Sequence, residues 1–471
     1  MSVRRREGRA ARVAAAVVAF GLAAVGAVAG AAPASADEAP QHQGGAAATL
    51  GGLTTFDRAV LHLDGQDHEL PAGLFEMTVD GGGTLKTYCV DIHNPTQEKA
   101  RYLETSWDQT SLGVNKDAGR IRWILQHSYP QVDDLVGLAK KAGSGPLTRE
   151  TAAAGTQVAI WRYSDGAQVE ALDPAAEKLA DWLERKAGSA PEPRASLSLD
   201  PVAVSGRAGS RIGPVTVRTD ADRVTVTPPA DAATSGVRVT DAAGRPVDAA
   251  VDGSRLFFDV PRKAADGSAA LTVQATTSVP VGRAFAGVTR SQTQILAGSS
   301  RSTVSATAGA TWAGKGAVPA LSARRNCAEG GVDLTVDNRG DAAFGFALMG
   351  VRYTVEAGRT RTLTIPVAED QAYDFTVQGP GARGKTFKGV FDCETTGSTV
   401  VAAGQAGSQP SPLSAGGTSA GSAAGGGGVD LAETGASNAT PMIATVAFVF
   451  LAAGGAAVFF LRRKQDLPAG E

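Results

Sequence analysis

The chain has 471 residues, which at roughly 150 residues per domain allows about three domains. Its formal charge is −2, from 45 Lys and Arg against 47 Asp and Glu, and this balance excludes an electrostatically driven DNA or RNA binder as the leading class. The two ends carry eight basic residues against three acidic ones, so the segment between them is more acidic than the whole, with a net charge of −7.

In chain order, the first 36 residues read as a secretory leader. Arg4, Arg5, Arg6, Arg9 and Arg12 form a basic start, residues 13–31 are an unbroken Ala/Val/Leu/Phe/Gly run, and Ala34-Ser35-Ala36 is a small-residue cleavage site. The paired arginines lack the context of twin-arginine export, so general secretion is expected, with cleavage after Ala36 and a mature chain exposed to an oxidising compartment. Residues 49–190 form a first domain that holds Trp107, Trp123, Trp161 and Trp182, and every His in the chain lies at or before His127. Gly81-Gly82-Gly83 reads as a hairpin turn leading into a strand that carries Cys89. Three helices are predicted. One holds Ile121 to Leu125 and stops before Pro130, one runs from Thr148 to Tyr163 with Glu150 in its first turn, and one runs from Asp173 to Arg185 with Pro174 leading it.

Ala190-Pro191-Glu192-Pro193 reads as a linker, after which the apolar period drops to two. The pairs Leu197/Leu199, Val215/Val217, Val224/Val226 and Val237/Val239 predict an antiparallel, Ig-like β-sandwich over 195–310. Val332 to Val336, Tyr353 to Val355 and Leu363 to Ile365 predict a second over 320–395. Both regions lack His and read as stalk. Residues 396–430 are Gly, Ser and Ala with almost no apolar bulk, a flexible linker that cannot bury a core.

Residues 431–471 carry Leu431-Ala432-Glu433-Thr434-Gly435, an apolar segment over 442–461 long enough for a transmembrane helix, and then Arg462-Arg463-Lys464. A plain single-pass anchor would use the same apolar stretch. The pentapeptide sharpens the reading, because motif, span and basic end in this order resemble a sortase cell-wall sorting signal, in the variant with Ala at the second position found in high-GC Gram-positive bacteria. The resemblance implies cleavage between Thr434 and Gly435 by sortase and transfer of the Thr434 carboxyl to an amine of peptidoglycan or its precursor. The protein would then be secreted and wall-anchored, touching the membrane only transiently.

Three cysteines are an odd number for an exported chain. Cys327 and Cys393 bracket the second β region and are expected to form a disulfide, worth roughly 4 kcal/mol in the chain-entropy treatment. Cys89 is left over. It can be a small buried hydrophobe, or a nucleophile served by His93, since positions 89, 91 and 93 of one strand share a face.

Thr156-Gln157-Val158-Ala159 turns that choice. Together with Tyr88-Cys89-Val90-Asp91, Trp123-Ile124-Leu125 and Ser128-Tyr129-Pro130 it resembles the bacterial thioester domains named for the Thr-Gln-x-Ala motif, over about 50–165. The resemblance implies a bond between the Cys89 sulfur and the Gln157 side-chain carbonyl with loss of ammonia, in a surface adhesin that captures an amine covalently, and so a multidomain chain with a mixed α+β thioester head. Such a reaction is used once, which is not enzymatic turnover. Its target would be an amine on another surface or host protein. A shielded site is needed because thioesters hydrolyse, and Ala153, Ala154, Ile160 and Trp161 share the helical face of Gln157. His93 can assist proton transfer. The rivals are a cysteine-dependent acyltransferase or peptidase using Cys89 with His93 or His127, and a passive wall protein. No metal site, phosphate loop or other cofactor motif stands out.

Overall fold

The computed structural model describes residues 44–379 and 382–395. The leader with its cleavage site at Ala36, the 396–430 linker, the sorting motif and the apolar segment 442–461 lie outside the described residues. Among the described residues no helix is long and apolar enough to cross a membrane.

The head opens on a long hairpin, β1 (Ala47–Leu63) and β2 (Gln66–Val79). Asp64 and Gly65 turn it, both at positive φ (52° and 74°), the two-residue geometry that suits the right-handed twist of paired strands. Gly82 and Gly83, at φ 99° and 105°, reverse the chain into β3 (Thr84–Cys89), which pairs antiparallel with β2. The expected glycine turn therefore stands. β4 (Arg101–Thr105) pairs with the start of β1, and β5 (Val169–Ala171) pairs further along the same strand.

What closes this sheet was not visible in the sequence. Strands Ala284–Gly287 and Gln294–Ser299, which fall within the 195–310 stretch read as stalk, insert between β3 and β4. With β1 also paired to β2, the strands join into a ring to which β5 is added. The 195–310 boundary is thus corrected. This stretch gives two strands to the head, and its last strand, Arg301–Ala313, runs beyond 310.

Four helices accompany the ring, α1 (Ala118–His127), α2 (Leu135–Ala142), α3 (Arg149–Ser164) and α4 (Pro174–Lys186), with α3 against the strands and α2 against α4. Thr148 caps α3 by accepting from the Thr151 N–H, and Asp173 caps α4 by accepting from Ala175 and Ala176. The short α2, whose third residue Gly137 donates its N–H to the Asp134 side chain, is not among the predicted helices. Helix α3 has no polar face to show solvent, since every residue from Ala152 to Trp161 is buried. It lies between the sheet and α4, and its small residues permit this. A Cβ on Gly155 would sit 2.4 Å from the Ala176 carbonyl oxygen of α4.

The rest of 195–313 is a sandwich of a four-stranded and a five-stranded sheet. One pairing in it, Arg301–Ala313 with Ala203–Arg207, is parallel. Residues 319–390 form a second β module of three- and four-stranded sheets around a core of its own that includes Phe344, Phe346, Phe375 and Phe387. The expected Cys327–Cys393 disulfide is present, with Cα atoms 5.3 Å apart.

The modules are fastened to the head. Glu192, in the stretch read as a linker, accepts from the Trp107 N–H at 2.9 Å and from Arg283 at 2.7 Å. Arg283 also pairs at 2.9 Å with Glu104, and both side chains are buried. Paired burial of this kind satisfies two charges that would be costly alone. The second module reaches the head through Arg290–Asp370 at 2.8 Å and through the Thr395 hydroxyl, which donates to the Ser164 carbonyl at 3.0 Å.

Candidate functional site

Cys89 is the last residue of β3 and Gln157 sits mid-way along α3, 68 positions later. Both are buried, at 2% and 0% exposure. The carboxamide of Gln157 meets the Cys89 backbone in both directions. The Cys89 N–H donates to Gln157 Oε1 at 3.0 Å, and Gln157 Nε2 donates to the Cys89 carbonyl at 2.9 Å. A glutamine inside a helix buried on all sides must place its amide somewhere polar, and here the end of β3 supplies the partner. The N–H on Oε1 draws electron density from the amide carbon, which polarises a poor electrophile. Thr156 keeps out of the way by donating its hydroxyl to the Ala152 carbonyl at 2.8 Å.

The sulfur is the free cysteine of the chain. Its polar neighbours are Gln294 Nε2, donating at 3.1 Å, and the Thr96 hydroxyl at 4.0 Å. Thr96 in turn accepts from Gln292 Nε2. Gln294 lies directly opposite Cys89 in the β-ladder between β3 and the Gln294–Ser299 strand. Its amide is oriented by Thr87, whose hydroxyl donates to Gln294 Oε1 at 2.9 Å. Burial drives the Cys89 thiol up to about 12, the bonds from Gln294 and Thr96 pull it down, and the nearby Asp91 and Asp165 charges push it up again.

Asp91 and His93 are not where a continuing strand would put them. The strand ends at Cys89, and the Asp91 carboxylate turns back to accept from the His93 and Asn94 N–H groups at 2.9 and 3.2 Å. The shared strand face expected for 89, 91 and 93 is therefore corrected to a turn. His93 is half-buried, its imidazole held below the usual range by burial. His127 stacks on Trp123, with ring centroids 3.9 Å apart, and its Nδ1 lies 2.7 Å from the Trp123 carbonyl. Neither imidazole hydrogen-bonds the sulfur among the described residues.

Ala153, Ala154, Ile160 and Trp161 are all buried as a shielded site requires, and the Trp161 indole N–H has no hydrogen-bond partner. Carboxylates gather on the far side of the turn. Burial raises Asp91 to about 6, and burial with the Asp91 charge raises Asp392 to about 7. Burial and Asp91 also lift Asp165 well above the usual range. Carboxylate oxygens of Glu369, Asp370 and Asp392 lie within 4.8 Å of one another, a grouping the sequence reading did not foresee. Each is already engaged: Glu369 by the Cys393 and Glu394 N–H groups, Asp370 by Arg290, and Asp392 by the Thr293 hydroxyl.

The thioester domain family matches residues 86–189, a stretch that contains both Cys89 and Gln157. This segment is similar to a thioester domain. A second family, the C-terminal domain of bacterial phospholipase C, matches residues 317–391, the second β module. No curated protein matches the chain. Among solved structures, the Bacillus anthracis TIE protein is similar at 14% identity, covering 74% of this chain and 81% of its own, with a TM-score of 0.27. The thioester domain of the Enterococcus faecium TIE86 protein is similar at 13% identity over 57% of this chain and 96% of its own, with a TM-score of 0.27. That of the Staphylococcus aureus TIE protein is similar at 13% identity over 56% and 98%, with a TM-score of 0.22. At these scores the thioester domain assignment rests on the 86–189 match. Gln294, which donates to the sulfur, and Gln292, which donates to Thr96, lie outside that stretch.

Proposed function

We propose that Cys89 and Gln157 form an internal thioester and that the protein is a surface adhesin that uses it to capture an amine covalently. The observation carrying this reading is the buried, two-way hydrogen bonding of the Gln157 carboxamide to the Cys89 backbone, within the stretch that the thioester domain family matches. In formation, the Cys89 sulfur adds to the Gln157 amide carbon and ammonia leaves with the sulfur's proton. In capture, an amine such as a lysine ε-amine attacks the thioester carbon. Gln157 then becomes amide-linked to the target, and the proton released by the amine ends on the Cys89 sulfur as thiol. Helix α3 holds the Gln157 amide on the Cys89 backbone, while the amide that lies on the sulfur itself is that of Gln294, at 3.1 Å.

The reaction consumes its site, so no turnover is expected and the protein is not an enzyme in this reading. The leader and the Leu431–Gly435 motif support secretion, sortase processing and attachment to peptidoglycan, with a surface or host protein as the amine donor. The acyltransferase or peptidase alternative loses ground because neither His93 nor His127 bonds the sulfur.

The intact mass of the segment 37–434 tests the reading. The expected result is a mass lower by one ammonia than that of the disulfide-bonded sequence, a deficit absent in Cys89→Ala, with methylamine becoming attached at Gln157. The full disulfide-bonded mass together with no methylamine uptake would overturn it.

A further inference from the structure

The head and the first sandwich share one buried apolar core, with members from Ala46 to Trp312. The second β module does not join it, and its own core is a separate cluster from Leu321 to Cys393. Polar bonds hold the module in place: Arg324 pairs with Asp108, Arg207 with Asp341, and Arg290 with Asp370. The hydroxyls of Thr395 and Thr293 add bonds to the Ser164 carbonyl and to Asp392. The chain enters the module through the short 314–318 segment, where Gly316 takes φ 88°. The seam is incompletely filled. A cavity of about 60 Å³ lies between Leu103, Ala286 and Val288 of the head and Ala323, Tyr373 and Val390 of the module, which is room for water.

Across this seam the two sides meet with like charge. The head brings Asp91, in the turn after β3, and Asp165, just past α3, while the module brings Glu369, Asp370 and Asp392. Asp91 is 1% exposed and Asp392 8%. Each feels a carboxylate of the other side: Asp370 acts on Asp91, and Asp91 acts on Asp392 and on Asp165. Opposing them are Arg290, which pairs with Asp370, and Arg325, which faces Asp392, Glu369 and Tyr373. Glu394 adds negative charge beside Glu369, and Asn94 donates to Asp91. Cys89 and Tyr102 also face the group, and burial keeps both neutral. His93, on the same turn as Asp91, is lowered by burial and gives up its charge early. Charges crowded in a buried seam repel one another and lose their hydration, and both costs grow as the carboxylates ionise.

We infer that the second β module is a pH-controlled clamp on the head, docked in acid surroundings and released towards neutral pH by repulsion among Asp91, Asp165, Glu369, Asp370 and Asp392. The clamp does not depend on the thioester reading. Undocking returns these side chains to water, where an ordinary aspartate titrates at 3.8. In the docked state burial, then the neighbouring charges, hold Asp91 at about 6 and Asp392 at about 7. Asp165 and Glu369 are raised by the same causes. The docked state therefore binds more protons between about 4 and about 7. Docking is strongest below that interval and weakens as pH rises through it. Release uncovers the 91–94 turn and the 391–395 segment, whereas the sandwich stays with the head because their core is shared.

The test is amide hydrogen exchange of the 37–434 protein, read by mass spectrometry from about pH 5 to about pH 8 and corrected for the intrinsic pH dependence of exchange. Peptides covering 91–97 and 391–395 are expected to lose protection by roughly ten-fold or more over this range. The 107–113 segment, which packs against the module strand Pro319–Asn326, is expected to lose protection with them. Peptides from the paired strands Gly267–Ser278 and Arg301–Ala313 are expected to hold theirs. Asp392→Asn cannot ionise and is expected to reduce the loss several-fold. Arg325→Met removes an opposing charge and is expected to move the loss to lower pH. Protection that does not change with pH, or that falls equally in the sandwich strands, overturns the clamp. Loss confined to 91–97 and 391–395 with 107–113 unchanged is local fraying and overturns it as well. So does an Asp392→Asn protein with the wild-type pH dependence. Should Asp392→Asn fail to fold, Asp165→Asn supplies the comparison, and wild-type pH dependence there is the overturning result.

Discussion

Cys327 and Cys393 close on each other across a small β module, while Cys89 ends a strand with one glutamine amide on its backbone and another on its sulfur. The two regions dispose of their cysteines by opposite means. The second module has its own aromatic core and uses its disulfide as a staple, so its sulfurs need no special surroundings. The head buries its sulfur under an alanine-rich helix and surrounds it with groups drawn from β3, α3 and a ring strand, Gln294–Ser299, that comes from far along the chain. A staple can be assigned within one module, but a reactive sulfur depends on parts that only the assembled fold brings together.

Several measurements would break or sharpen this contrast. The largest effect is expected at the pair itself. Gln157→Ala should eliminate both the ammonia deficit and all methylamine attachment, as Cys89→Ala does, and residual attachment at any other residue would sink the assignment. Next is the staple. Cys327→Ala with Cys393→Ala should destabilise the second module by about 4 kcal/mol in the chain-entropy treatment, while the head retains its full mass deficit. Loss of the deficit would mean that the two sulfur sites are not independent.

A smaller effect is expected where α3 meets α4. Gly155→Val places side-chain atoms against the Ala176 carbonyl, 2.4 Å from where a Cβ would lie. Overpacking of this kind costs about 1–3 kcal/mol, and a lower thermal midpoint for the head would register it. An unchanged midpoint would show that α4 can move away freely.

The mildest effect concerns pH. Asp91 is held at about 6 and Asp392 at about 7, mainly by burial, against 3.8 for an ordinary aspartate. Facing them are Asn94, Arg325, Glu369 and Asp370, of which Asn94 and Arg325 oppose the rise. Across that interval the folded state binds more protons than the unfolded chain, so stability declines as pH rises from about 4 to about 7. Thermal midpoints measured over this range should fall, and Asp392→Asn should flatten the slope. A midpoint that rises with pH in both proteins would contradict the buried-carboxylate account.

How much of this was legible varies with the distance over which each feature is specified. The starts of α3 and α4 were readable because Thr148 and Asp173-Pro174 are local signals whose partners lie within one turn. Strands 197–200, 224–227 and 331–338 were readable from alternation. Cys89 and Gln157 could be paired through two short motifs in the right order. Position 93 misled because alternation was extended past the end of β3, where the Asp91 side chain captured the next two N–H groups and made a turn. The Ala190–Pro193 stretch misled because Pro and Glu read as solvent-exposed spacer, while Glu192 is in fact committed to Trp107 and Arg283.

By itself, the sequence determined three of the head's helices and several strands, which sulfurs are available, and that a glutamine in a Thr-Gln-x-Ala helix is the candidate partner of Cys89, because propensity, caps and motifs act over a few residues. Only the tertiary structure decided that residues 284–299 leave their sandwich to complete the head, and that Gln294 faces the sulfur. A strand's pattern states which of its faces is buried but carries no address for its neighbour. That choice is made by long-range pairing and by the close packing of the whole ring.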